Sequence, residues 1–259
     1  MLDLEQIVSY YPEHLRPFKK NILREYIQYK LLEALFASEY GKNMVFIGGT
    51  AIRILHENSR FSEDLDFDNF GLDQKAFTGM SLLAVRALKR EGLNADVKNV
   101  FKGAFRAYIG ISDILHAYGL SPHSGEKISL QLDMEAQDAD YEPVRQFINK
   151  FDVFTQINAV PVNTLLSQKI YAILNRKRAK GRDFFDVTFL LGKTKPDYKY
   201  LDLKVGIKNA AGLRTTLVNY CEKLDMKALA SDVEPFLFEP KEKIRVSEFA
   251  AFIASANLE

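Results

Sequence analysis

The stretch 46-FIGGTAIRILHENSRFSEDLDFDNF-70 sets a Gly-Gly-Thr turn after an apolar run, then a short helical segment, then an alternating DLDFD strand. Successive side chains of a strand point to opposite faces. Asp64, Asp66 and Asp68 therefore share one face, and Leu65 and Phe67 share the other. Carboxylates two residues apart lie about 6–7 Å from each other, and at an effective dielectric of about 20 they repel by about 2–3 kcal/mol. A fold tolerates that when something positive sits between the charges, and a divalent cation is the usual answer. The glycine turn adds backbone N–H groups that phosphate can reach at a helix start. Two plainer readings compete with these: an ordinary strand-to-helix turn and a solvated edge strand. Leu65 and Phe67 speak for a packed strand. An EF-hand is excluded, because counting from Asp64 the glycine position holds Asn69 and the bidentate glutamate position holds Lys75.

Around this stretch, the chain of 259 residues is 47% hydrophobic, enough for one large core or two smaller ones. A net charge of +1 gives no global field toward nucleic acid, so such binding needs a local patch. The lone Cys221 rules out an internal disulfide and fits a reducing compartment. His14, His56, His116 and His123 have no Cys or His neighbours at zinc spacing. No apolar run approaches the ~20 residues of a membrane span, and MLDLEQIVSYYPEHL lacks the basic-then-apolar order of a leader. The expectation is a soluble cytoplasmic protein with no membrane partner.

Hydrophobic periodicity predicts a helix over 14–39, a buried strand from Met44 to Ile47 and a helix capped by Thr50 through about Glu57. It then predicts the acidic strand, a helix over 74–91 and strands at Asp96–Phe101 and Phe105–Ile111. Residues 117–127 read as loop. In 127-KISLQLDME-135 the apolar residues alternate with Ser129, Gln131 and Asp133. Beyond about residue 160 the pattern turns helical, with one helix opened at Pro161 and another at Arg182-Asp183. The predicted plan is α+β over residues 1–155, followed by a mostly helical part over 156–259.

If the strand of Asp133 pairs beside that of Asp64 and Asp66, it adds a third carboxylate. Three such groups on adjacent strands can hold two magnesium ions across a triphosphate. In 169-KIYAILNRKRAKGRDFFDV-187, Lys169 sits at the rim of the packed helix face, where a cation can neutralise phosphate oxygens. Arg176, Lys177, Arg178, Lys180 and Arg182 form a dense basic run before Asp183 and Asp186. It reads either as a helix end complementing the dipole or as a phosphate clamp or RNA-backbone patch.

Together these residues resemble the AbiEii/MenT family of nucleotidyltransferase-like toxins from bacterial toxin–antitoxin and phage-defence loci. The resemblance rests on 48-GGTAIR-53, 60-RFSEDLDF-67, Asp133 in 130-LQLDME-135, Lys169 and 182-RDFFD-186, in the family's order. It implies a polymerase-β-like nucleotidyltransferase fold with a mixed sheet, its active site completed by the helical part. It also implies Mg²⁺- or Mn²⁺-dependent transfer of a nucleoside monophosphate from an NTP to RNA, the tRNA 3′ end in characterised relatives, which blocks translation. A cognate antitoxin is the implied partner. By the same resemblance Asp64, Asp66 and Asp133 would be metal ligands, and Gly48, Gly49 and Thr50 would cradle the triphosphate. Arg53, Arg60 and Ser62 would lie near that pocket, Lys169 would contact phosphate, and Asp183, with Asp186 as the alternative, would complete the site. Arg176, Lys177, Arg178 and Lys180 would meet RNA. Rival readings keep the chemistry with a protein or small-molecule acceptor, or keep the fold as a non-catalytic nucleotide-binding module.

Overall fold

The computed structural model describes residues 1–136 and 141–259. They pack as two units. The first holds Met1–Leu55 and most of the chain from Phe61 to Ala159; the second holds His56–Arg60 and Val160–Glu259.

The first unit is built, in chain order, from α1 (Leu4–Ser9), α2 (Lys19–Phe36), β1 (Met44–Ile47), α3 (Gly48–His56), β2 (Leu65–Asn69), α4 (Gln74–Arg90), β3 (Asn94–Lys102), β4 (Ala104–Ser112), α5 (Ile114–Ala117), β5 (Ile128–Ala136), β6 (Val144–Lys150) and β7 (Val153–Ala159), with the end of α3 passing into the second unit. The strands form a seven-stranded sheet in the order β3-β4-β5-β2-β1-β7-β6. It is mixed: β2 runs parallel to β5 and β1 parallel to β7, and the other pairs are antiparallel. β2 is thus central, and its buried Leu65 and Phe67 explain why the alternation was so regular. Phe67 packs against Phe46 of β1 and Phe36 of α2. The side chains of α4 reach the sheet through Phe77, which meets Phe101 and Phe105. Asp73 caps α4 by accepting from the Ala76 N–H at 2.8 Å, and Lys89 and Arg90 sit in its last turn, where cations suit the dipole.

Several local expectations shift. The helix predicted from 14 begins at Lys19, preceded by a single 3-10 turn, Glu13–Leu15. α3 begins at Gly48, so Thr50 lies inside its first turn and is not its cap. The β6–β7 hairpin has no counterpart among the expected elements. Its strand β7 joins the middle of the sheet beside β1, so the change of unit falls at Val160 instead of 156.

One buried ionic cluster sits beside α2. Glu25 accepts from Arg53 Nε at 2.8 Å, Lys150 Nζ at 2.8 Å and the Tyr11 hydroxyl at 2.7 Å. Burial alone would push the Glu25 carboxyl up, but the charges and hydrogen bonds of Arg53 and Lys150 prevail and hold it at about 2. A folded-state value below the unfolded one gives stability that is complete above about pH 4.5 and lost as pH falls toward 2. The loss expected is about 3 kcal/mol. Acid unfolding followed by circular dichroism should show it, and Glu25→Gln should flatten that part of the profile. An unchanged profile in Glu25→Gln would remove Glu25 as the cause.

The second unit contains α6 (Val162–Asn175), α7 (Gly181–Leu191), α8 (Tyr198–Val205), α9 (Ala210–Cys221), α10 (Met226–Val233), α11 (Ile244–Ser247) and α12 (Phe249–Ser255). α6 stops at Asn175 and Arg176 is extended, so the basic run is a connection between helices and not a helix end. Gly181 starts α7 against α10 so closely that a Cβ there would lie 1.9 Å from the Leu229 carbonyl oxygen. No helix among the described residues is long and apolar enough to cross a membrane.

Candidate active site

In the first unit, the parallel register of β2 with β5 sets Asp66 directly beside Asp133 and Asp68 beside Glu135. Register partners share a sheet face, so Asp66 and Asp133 stand side by side on the face opposite Leu65 and Phe67. Asp64 lies one residue ahead of β2. Asp133 accepts from Gln131 Nε2 at 2.9 and 2.8 Å, and Arg106 Nε, from its register partner on β4, lies 3.5 Å from Oδ1. Sequence reasoning did not find Arg106 or this use of Gln131. Gln131 could have been noted as the same-face residue two before Asp133, whereas Arg106 depends on strand pairing.

The glycine turn fits against this carboxylate pair. Gly48 has φ +80°, a left-handed conformation that costs side-chain-bearing residues about 1–2 kcal/mol. A Cβ on it would lie 2.1 Å from Asp66 Oδ2. Glycine is required there because the carboxylate occupies the space a side chain would take. Gly48→Ala should therefore displace Asp66, and the nucleotidyl transfer expected from the sequence should fall on the order of a hundredfold, as a shift of about 1 Å at a reacting centre costs about that much. A steady-state assay beside a thermal melt checks this, and wild-type activity in Gly48→Ala would show that the close approach is unimportant. Gly49 follows, buried, in the first turn of α3. Thr50 is fully buried, and its hydroxyl donates to the Asp64 carbonyl oxygen. Its hydroxyl thus ties the helix start to the acidic strand. Arg53 is turned to Glu25 with Nε and a terminal nitrogen at 2.8 and 3.2 Å. The carbonyl oxygens of Ser62 and Glu63 accept from Gln28 Nε2 at 3.1 and 2.9 Å, which fixes the approach to β2.

The donor set is hard oxygen, suited to Mg²⁺ or Mn²⁺. Among the described residues no three His, Cys, Asp or Glu side chains converge as a metal-binding group. The structure thus brings Asp66 and Asp133 together but does not gather Asp64 with them. Magnesium typically takes one or two carboxylates together with substrate phosphates, and the Asp66–Asp133 pair fits that requirement.

In the second unit, Arg60, Lys169, Asp183 and Asp186 form one cluster. Asp186 is 0% exposed and Arg60 2%. Arg60 donates to both carboxylate oxygens of Asp186, at 2.7 and 2.6 Å; Asn58 Nδ2 donates at 2.8 Å and Lys169 Nζ lies 3.0 Å away. Burial pushes the Asp186 carboxyl up, yet Arg60 and Lys169 hold it below the usual range. Lys169 is likewise held above its ordinary value by Asp186 and Asp183 against the opposing effect of burial. Asp183 accepts from Lys169 at 3.2 Å through Oδ1, while Oδ2 lies 2.9 Å from Arg176 Nε without an aligned hydrogen bond. Asp186 is thus committed to internal partners, and Asp183 is the acid of this cluster with an oxygen lacking a hydrogen bond. Asn58 was missed, since nothing in its sequence setting marks it.

Arg176, Lys177, Arg178 and Lys180 are exposed. Arg178 and Lys180 line a groove of about 520 Å³ with Arg182, Leu229 and Phe236. The Arg182 guanidinium lies 4.5 Å from the centre of the Phe236 ring.

The fold is similar to that of JHP933 from Helicobacter pylori, with TM-score 0.55 and 18% identity over 90% of this chain and 91% of that one. It is equally similar to a candidate nucleotidyltransferase from H. pylori, with TM-score 0.55 and 18% identity over 90% of this chain and 94% of that one. None of the curated proteins matches the chain significantly. The model of the nucleotidyl transferase AbiEii toxin of type IV toxin–antitoxin systems matches residues 30–251, a span holding both the carboxylate strands and the Arg60–Asp186 cluster. The chain belongs to the AbiEii family of nucleotidyl transferase toxins.

Proposed function

We propose that this toxin transfers a nucleoside monophosphate from an NTP to RNA, with the tRNA 3′ end as acceptor and arrested translation as the result. The observation that carries the reading is the register pairing of Asp66 with Asp133, with Asp66 seated against Gly48 at the start of α3. Backbone N–H groups of the Gly48-Gly49 turn would receive the triphosphate. Asp66 and Asp133 would hold Mg²⁺ or Mn²⁺. When bound, such a cation neutralises the phosphate oxygens and the developing charge on pyrophosphate. Arg106 and Gln131 would keep the Asp133 carboxylate oriented. Lys169 would serve phosphate, with its amine kept protonated by Asp183 and Asp186, and Asp183 is the favoured acid of that pair. The exposed Arg176, Lys177, Arg178 and Lys180 would meet the RNA backbone, where cations gain affinity by releasing counterions.

The test is transfer from each labelled NTP in turn to total tRNA in the presence of Mg²⁺. Label in RNA is expected with one or more nucleotides. Protein that binds NTP yet labels no RNA would overturn the RNA acceptor and return attention to protein and small-molecule acceptors.

A further inference from the structure

The β6–β7 hairpin carries two phenylalanines that the packing of its unit does not use. Phe147 is 59% exposed and Phe154 65%, and their rings stack with centroids 5.2 Å apart and 12° between planes. The register assigns them to a face. Phe46 pairs with both Phe67 and Ala159, so Ala159, Ile157 and Val153 lie on the face packed by α2. Alternation then puts Phe154 and Gln156 on the opposite face, which is the face of Asp66 and Asp133. Phe147 follows as the partner of Gln156, with Asn149 opposite Phe154 and Arg145 opposite Asn158. β6 is separated from β2 by β1 and β7. From strand spacing and rise, Phe147 lies about 20 Å from Asp66 across that face, a distance a few nucleotides of extended strand can cover.

We propose that the stacked Phe147–Phe154 pair is a base-stacking platform for the single-stranded end of the acceptor RNA. The proposal rests on the RNA reading above and names where that RNA is held. Three observations favour nucleic acid over protein. The platform shares its face with the carboxylate pair. The two strands of the hairpin hold no Asp or Glu, and Arg145 lies on the same face as the rings. The exposed side chains around the rings, Arg145, Asn149 and Gln156, are hydrogen-bond donors. Stacking on an aromatic ring is tolerant of sequence because every base has a π-face, which suits an end-binding platform.

The experiment uses the full chain with Phe147 and Phe154 both changed to leucine, and separately both to tyrosine. Leucine keeps an apolar surface and removes the ring; tyrosine keeps the ring. Binding of tRNA and of a fluorescent single-stranded RNA of about eight nucleotides is measured by anisotropy, and NTP binding is measured in parallel. The leucine pair should weaken RNA binding about 10- to 100-fold, raise KM for tRNA in step, and leave NTP binding unchanged; the tyrosine pair should restore RNA affinity. RNA binding unchanged in the leucine pair, while the wild type still labels RNA, overturns this proposal and leaves the RNA reading standing. A wild type that neither binds nor labels RNA overturns both. A leucine pair that alters self-association by light scattering but not RNA affinity assigns the patch to a second copy of the chain, which also overturns it.

Discussion

Asp66→Ala should lose transfer by at least about a thousandfold while melting at or slightly above the wild-type temperature. The loss follows from removing a carboxylate that would hold the charge-stabilising cation, an effect of about 4 kcal/mol or more, and about 1.4 kcal/mol is tenfold in rate. The stability part follows from register. Asp66 stands directly beside Asp133, and like charges facing each other across strands destabilise a sheet by up to about 1 kcal/mol. A residue kept at a cost to the fold is expected at a site of chemistry. Asp66 also fills the space above Gly48, so alanine leaves room there without creating a clash. Single-turnover transfer and a thermal melt on the same preparation separate the outcomes. Activity within tenfold of the wild type would remove Asp66 from the reacting centre. A melt lowered by many degrees would recast the residue as structural.

The opposite signature is expected at Asp186. Asp186→Ala deletes the carboxylate that Arg60, Asn58 and Lys169 share in the buried cluster of the second unit. Arg60 and Lys169 lose the buried carboxylate they share in a setting of low polarity. Removing one partner of a buried pair costs about 3–5 kcal/mol, a large part of the roughly 5–15 kcal/mol that keeps a domain folded. At about 2–4 °C per kcal/mol for a chain of this size, the transition of that unit should fall by about 10 °C. Arg60→Ala should match it, because it strands Asp186 in the same interior, and the double variant should cost less than the sum of the two, since they belong to one network. Calorimetry of the three variants checks this. A loss under 1 kcal/mol for Asp186→Ala, or strict additivity, would show that the cluster does not act as a unit.

This contrast between Asp66 and Asp186 bears on how the site was read from sequence. Both acids sit in motifs of the same family pattern, and sequence alone ranked Asp183 above Asp186 only by its position after Arg182. Hydrogen bonding supplies a physical reason: both acids are buried, but Asp186 is saturated by donors, whereas Asp183 Oδ2 meets only the Arg176 guanidinium, at 2.9 Å and without an aligned hydrogen bond. Arg53 and Thr50 show the same limit from the other side. Both occupy motif positions beside the glycine turn, yet their polar atoms are engaged with Glu25 and the Asp64 carbonyl. A motif records which residues are needed near a site without saying whether they face the ligand or hold the frame.

What depends on neighbours a few residues away was legible in the sequence. The alternation of β2 and β5 and the span of α4 follow from backbone periods and capping, which adjacent residues carry. Pairing between distant segments of the sheet settled the rest. It set Asp133 beside Asp66 through a parallel register, put Arg106 beside Asp133, seated Asp66 over Gly48, inserted β7 beside β1, and placed Phe147 and Phe154 on the acidic face. A strand fixes which way its own side chains point, but its partner is chosen by the burial of the whole sheet, and that information is spread over residues too far apart for any local pattern to show.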